Sequence, residues 1–285
     1  MTLTFLFERN YTEMPNFAFY EQETIKTDTK RMKYIYSFLI LVTLILNSSV
    51  VKAQKSISDS TIGVGLIGAG GGFHLPFGDI ADRYGVCYSI GPNIWYKTDK
   101  NWIWGADFNY HFSGNIDNEN QILANLKNSV GAIIDEGGQP ALISILMRGY
   151  SFYGKVGKVI PLKFNNPNSG IMIQLGVGYF RHKYAIGNID NTAPQIKDDY
   201  RKGYDRLRAG ISFTQLIGYM NLSDSRLTNF YGGIEIHESI TNPLRDYDFS
   251  LMKKETGTNI DILVGFRIGW LFPLYGTATK AYYYY

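Results

Sequence analysis

Beyond residue 60 the chain alternates apolar and polar residues one by one. From Trp102 to Ser113, Trp102, Trp104, Ala106, Phe108, Tyr110 and Phe112 share one face, and Ile103, Gly105, Asp107, Asn109, His111 and Ser113 the other. A period of two with one oily and one wet face predicts a strand. The pattern recurs at Val86–Tyr96, where Tyr88, Ile90, Pro92 and Ile94 oppose Cys87, Ser89, Gly91, Asn93 and Trp95. It recurs again at Ile171–His182 and at Arg206–Tyr219. It is clearest near the end, where Ile260, Ile262, Val264, Phe266, Ile268, Trp270 and Phe272 oppose Asp261, Gly265, Arg267 and Gly269. Ile62–Phe73, the less regular Ser144–Lys158 and Leu227–Glu238 bring the expected strands to eight. The register of the fourth is open, because Arg148 and Lys158 sit among large apolar residues.

Strands of this length suit a bilayer, which a tilted strand crosses in about nine to eleven residues. A closed sheet leaves no backbone group unpaired in hydrocarbon. The connectors support closure with one end facing out. The stretches 98–101, 161–169 and 221–226 are short and rich in turn formers, whereas 74–85, 114–143, 187–203 and 239–258 are mostly longer. Short periplasmic turns and long outer loops are the barrel pattern. The expected fold is therefore all-β, an eight-stranded antiparallel up-and-down transmembrane β-barrel. A soluble eight-stranded barrel would place apolar residues inside around a ligand. Here the charges share a face with the glycines, where a narrow lumen must be filled, which favours the membrane arrangement.

The segment before the strands reads as an address. Lys30-Arg31-Met32-Lys33 precedes a thirteen-residue apolar run, Tyr34 to Leu46, and Val51-Lys52-Ala53-Gln54 ends it. A basic start, a short apolar stretch and a small residue at the cut make a signal peptide over 32–53, too short to be read first as a span. Residues 1–31 read as an upstream extension with Met32 the initiator, 54–60 as a short lead, 61–275 as the barrel and 276–285 as an aromatic tail.

Composition agrees. All 30 glycines follow residue 53, beside 22 Tyr and 17 Phe, a mixture that disfavours helices and suits tight turns and crowded lumens. A net charge of +3 gives no electrostatic case for nucleic acid. The single cysteine, Cys87, excludes an internal disulfide framework and a cysteine zinc cage.

Candidate chemistry is sparse. Gly63-Val64-Gly65-Leu66-Ile67-Gly68 matches a dinucleotide fingerprint, but Ala69-Gly70-Gly71-Gly72-Phe73 follows instead of a helix pattern. The four histidines show no zinc-ligand spacing, so neither metal nor cofactor is expected. Glu235 with His237, and Asp107 with His111, place an acid and an imidazole on one strand face, which admits an enzyme acting on lipid or peptide; no serine is marked as nucleophile. The plainer expectation is a structural network of lumen charges, Asp107, His111, Arg206, Arg208, Glu235, His237, Asp261 and Arg267, which neutralise one another because an unpaired buried charge is costly. No catalytic residue is assigned. Tyr96, Trp102, Trp104, Tyr219, Trp270, Phe272 and Tyr275, near strand ends, suit aromatic girdles at the two water interfaces. In the longest loop Asn118 is placed to cap a helix whose Ile122, Leu123 and Leu126 share one side. That helix rests on the barrel mouth or contacts a partner. Arg201–Arg206 forms a charged rim segment within reach of anionic surface lipid.

Pro76-Phe77-Gly78-Asp79-Ile80-Ala81-Asp82-Arg83-Tyr84-Gly85, Pro167-Asn168-Ser169-Gly170-Ile171, Lys202-Gly203-Tyr204-Asp205-Arg206-Leu207, Ile217-Gly218-Tyr219 and Gly269-Trp270-Leu271-Phe272-Pro273-Leu274-Tyr275 together resemble a family of uncharacterised outer-membrane β-barrel proteins of Bacteroidota-type bacteria. The resemblance implies an outer-membrane location and a barrel; it brings no catalytic residues. Function is then expected to be non-enzymatic, structural or interactive. Outer-membrane lipid, or a complex such as assembly or secretion machinery, would be the partner. A barrel enzyme and a small channel are the alternatives.

Overall fold

The computed structural model describes residues 60–162, 166–189, 192–223 and 227–274. The expected extension, signal peptide and most of the lead, together with Tyr275 and the tail, lie outside the described residues. Among those described, eight strands close into one antiparallel barrel: β1 (Val64–Gly78), β2 (Cys87–Lys97), β3 (Trp102–Ser113), β4 (Ile143–Pro161), β5 (Gly170–Asn188), β6 (Arg208–Asn221), β7 (Phe230–Pro243) and β8 (Asn259–Leu274). Each strand pairs with its neighbour in sequence, and β1 closes on β8 from Gly65 opposite Leu274 to Gly78 opposite Asp261. Both outer strands of the chain thereby lose their free edges, and the wall leaves no ladder unpaired.

Alternation decides which side faces in. Ile94, Trp104, Leu175, Val177, Phe213, Ile217, Ile234 and Ile268 point outward and are exposed, whereas Asp107, Ser151, Gln174, Ser212, Glu235 and Arg267 point inward and are buried. β4 settles in the register that sends Lys155 inward and Lys158 outward, where Lys158 Nζ lies over the Trp102 ring, 5.3 Å from its centroid. An 11-residue strand such as β2, tilted as in small barrels, is about 28 Å tall, close to the hydrocarbon core.

Inward glycines make room where the wall is crowded. A Cβ on Gly269 would overlap the Tyr231 ring, and one on Gly210 would overlap the Ile240 carbonyl of the neighbouring strand. Gly63–Gly68, the dinucleotide-like run, leads into β1 and continues as strand to Gly78, so no phosphate-binding turn into a helix forms.

Connector lengths split the barrel into two ends. At one, 98–101, 162–169 and 222–229 join β2 to β3, β4 to β5 and β6 to β7. At the other lie 79–86, 114–142, 189–207 and 244–258. β4 continues four residues past the end of β3, and β5 six past the start of β6, so their ribbon rises above the rim on the long-loop side. The long loop carries a one-turn helix, Glu119–Ile122, and a 3₁₀ turn, Ala124–Leu126. Asn118 does not cap this helix: it is left-handed, with φ 55°, and its side chain makes no cap bond. Ile122 and Leu123 are buried in one apolar cluster with Ile145, Met147 and Tyr184 of the barrel, and Leu126 packs against that cluster.

Candidate functional site

The lumen is stacked in three layers. Beside the short turns Val64, Leu66, Trp95, Ile103, Val159, Met172, Leu216, Met220, Tyr231 and Leu271 form an apolar floor. Beneath the long loops Ile80, Tyr84, Cys87, Met147, Phe180, Tyr184 and Leu263 meet the loop side chains to form an apolar roof. Between them lies a belt of polar groups, supplied by β1 to β8 in turn because each strand sends every second residue inward.

Lys155 sits at the centre of the belt. Its Nζ donates to Asp107 Oδ2 at 2.7 Å and to Glu235 Oε1 at 2.8 Å, with all three side chains almost fully buried. Trp95 Nε1 donates to the other Asp107 oxygen at 2.6 Å. Arg267 reaches Glu235 Oε2 at 3.6 Å and donates through Nε to the Tyr231 hydroxyl at 3.1 Å. Two carboxylates thus face two cations, and the belt's four permanently charged groups among the described residues balance. Balance matters because each uncompensated charge would cost several kcal/mol in this environment.

Three imidazoles stand beside this cluster. His74, His111 and His237, from β1, β3 and β7, have ring centroids 5.2 to 6.2 Å apart. Each holds a hydroxyl with one nitrogen: His74 Nε2 with Ser89 at 2.9 Å, His111 Nε2 with Ser151 at 2.8 Å, and His237 Nδ1 with Tyr153 at 3.0 Å. From Tyr153 the chain of hydroxyls runs on through Ser212 to Ser239.

The remaining expected lumen residues form a second network nearer the long loops. Asp261 Oδ2 accepts from Thr241 Oγ1 at 2.5 Å and lies 3.2 Å from His182 Nε2. Arg208 bonds the Thr241 and Gly257 carbonyls and pairs with Glu255, which also holds Arg83. Tyr84 closes this layer, its hydroxyl 3.3 Å from His182 Nδ1. Burial, reinforced by neighbouring Tyr184, pushes the Tyr84 phenol well above its ordinary range, so it stays neutral. Arg206 is not in the lumen. It precedes β6 with φ 40° and pairs with Asp248 at 3.0 Å in the outer loops, because the strand begins two residues later and the left-handed turn at 206 redirects the side chain.

The girdle residues also redistribute. Tyr96, Trp102, Trp104, Trp270 and Phe272 are outward and exposed and Tyr219 partly so. All six, however, lie toward the short-turn end and form one band instead of two. Tyr96 and Trp104 pack with centroids 5.7 Å apart. The second band comes from Tyr88, Phe112 and Tyr110 and from Phe108, Tyr150 and Tyr179, successive neighbours 5.8 to 6.5 Å apart. Two aromatic bands flanking an aliphatic belt mark the two faces of a bilayer. The chain is an eight-stranded transmembrane β-barrel.

Sequence reasoning missed Lys155, His74, Tyr153 and Trp95. Lys155 was hidden by the irregular pattern of β4, and His74 fell in an expected loop that is strand to Gly78.

Comparisons with known proteins add little beyond this geometry. No protein-family model and no curated protein sequence matches the chain. Among solved structures it is similar to Neisserial surface protein A, with 8% identity over 73% of this chain and 96% of that one and a TM-score of 0.37. It is also similar to Ail, the attachment invasion locus protein of Yersinia pestis, with 13% identity, 73% and 99% coverage and a TM-score of 0.36. The outer membrane protein OprG of Pseudomonas aeruginosa shares 8% identity over 74% of this barrel's chain and 97% of its own, with a TM-score of 0.31.

Proposed function

We propose that this barrel resides in the outer membrane, as its sequence resemblance to uncharacterised barrels of Bacteroidota-type bacteria suggests. We further propose that it serves as a scaffold or accessory subunit there, binding through its long-loop end. The observation that carries this reading is the division of labour along the barrel. The lumen is largely filled by its own side chains, while the long-loop end exposes apolar side chains on three loops: Val130, Leu142, Tyr200, Leu244 and Met252 are each at least 51% exposed. Their display on separate loops supports contact with another envelope protein.

Outer-membrane lipid is the second partner in this reading. On the outward side of the β4–β5 ribbon Arg148 stands directly opposite Lys183, and Arg181 opposite Tyr150, around a cleft of about 240 Å³. Like charges paired across strands repel, and Asp205, 3.6 Å from Lys183, is already held by Arg245 at 2.5 Å. Anionic lipid headgroups at the rim would relieve that repulsion.

The rival readings find less support. The apolar floor and roof disfavour a small channel. Glu235 and His237 are 0% and 2% exposed, away from any surface that a lipid or peptide substrate reaches. Photo-crosslinking residues placed at Tyr200, Leu244 and Met252 in native envelopes test the scaffold reading: a discrete protein adduct at two or more positions is expected. Adducts to lipid alone would contradict it.

A further inference from the structure

The three belt histidines share an arrangement that charge neutralisation does not explain. Each turns one nitrogen to a hydroxyl; Nδ1 of His74 and Nδ1 of His111 have no hydrogen-bond partner among the described residues, and Nε2 of His237 meets only Glu235 Oε2, at 3.1 Å. All three side chains are at least 98% buried. Glu235 Oε2, which faces His237 Nε2, lies 3.6 Å from Arg267 Nη1. Unpartnered polar atoms at such depth are costly, and the two free imidazole nitrogens stand beside the Glu235–His237 pair.

We propose that His74, His237 and Glu235 form a binding site for a divalent transition-metal ion, zinc above all, inside the barrel, with His111 flanking it. One donor atom from each of the three residues lies within 4.8 Å of the others. A tetrahedral zinc ion with ligands at about 2.0–2.1 Å holds its donors about 3.3 Å apart. The separation of 3.1 Å between His237 Nε2 and Glu235 Oε2 is already close to that value, and a small shift of His74 completes the set.

The outer bonds are those of a metal site. A ligating imidazole donates its second ring N–H to a fixed acceptor, which sets its tautomer and orientation. Ser89 and Tyr153 stand in those places for His74 and His237, as Ser151 does for His111. Two imidazoles and a carboxylate suit zinc by donor type. Lys155 and Arg267 share Glu235 and oppose a dication, so the affinity falls below that of an isolated ligand set. The apolar floor and roof make exchange slow, and loading would accompany folding.

The test uses the full chain, without a polyhistidine tag, refolded into detergent micelles from chelator-treated denaturant with and without added zinc. Bound metal is counted after gel filtration, and its ligands are read by X-ray absorption at the zinc edge. We expect one zinc per chain, a shell of nitrogen and oxygen with imidazole scattering, and a higher unfolding midpoint in zinc. His74→Gln with His237→Gln should lose at least 100-fold in affinity, while His182→Gln keeps it. Ser89→Ala should weaken binding about tenfold, as loss of an outer partner does. Should the double variant fail to fold, the absorption spectrum of the unaltered chain decides. Absence of stoichiometric zinc, a sulfur ligand, or equal binding by the folded double variant would overturn the proposal.

Discussion

Lys155 offers the sharpest test of how the lumen is held together. It lies between Asp107 and Glu235 at 2.7 and 2.8 Å with about 1% of its side chain exposed. Replacement by methionine keeps most of the volume and removes the charge. Asp107 and Glu235 then share only Arg267, and the belt carries a net charge of −1. Breaking a buried ion pair by removing one partner costs about 3–5 kcal/mol, or roughly two to three and a half orders of magnitude in the folding equilibrium. The account also predicts rescue. Adding Glu235→Gln to Lys155→Met returns the belt to neutrality, so the double variant should be at least about 2 kcal/mol more stable than the sum of the singles implies, within the range for contacting residues. Urea unfolding in micelles, followed by the heat-dependent gel mobility of folded barrels, measures both. If Lys155→Met unfolds within about 0.5 kcal/mol of the unaltered chain, the lysine is solvated, and the picture of a dry, charge-balanced lumen is wrong.

Three further outcomes follow from the same architecture. In planar bilayers the barrel should show no steady conductance, because apolar side chains fill the lumen beside both rims; stable open-channel currents would contradict the layering. Leu175→Arg, midway up the outward face of β5, should cost about 2–4 kcal/mol in a bilayer, whereas Ile171→Arg nearer the short-turn rim should cost about 0–1; equal costs by unfolding in vesicles would count against the assigned depths. Ile122→Asp with Leu123→Asp, which places charges where each side chain is 2% exposed, should open 114–142 to added protease while the barrel keeps its folded gel mobility. Loss of the barrel itself would show that the loop is part of the wall's stability.

The wall was legible in the sequence because its physics is local: a strand facing lipid and lumen must alternate, and β3 is found at Trp102–Ser113, as its pattern indicates. Sequence reasoning failed where the rule is not local. β1 runs five residues past Phe73 and β5 six past His182, because ladders continue wherever a partner strand exists, even after alternation fades. The charged belt was half visible. Asp107, Glu235 and Arg267 lie on clean alternating strands. Lys155 lies on a strand whose Gly154 and Gly157 blur the pattern, and its role depends on partners 48 and 80 residues away. The histidine cluster had no spacing to read, since its members come from β1, β3 and β7 and meet only when the sheet closes. Arg206 shows the opposite failure: it keeps the alternating rhythm, yet its left-handed backbone places it outside the strand.

The orientation of the wall can be measured with the tryptophans the chain already carries. Trp102, Trp104 and Trp270 are outward and about half exposed, whereas Trp95 is inward and 2% exposed. Four variants, each keeping one tryptophan and replacing the others with phenylalanine, would be folded into vesicles containing lipids brominated along their acyl chains. Strong fluorescence quenching at 102, 104 and 270 with little at 95 is the result this account requires. Quenching at 95 with protection of the other three would turn the barrel inside out.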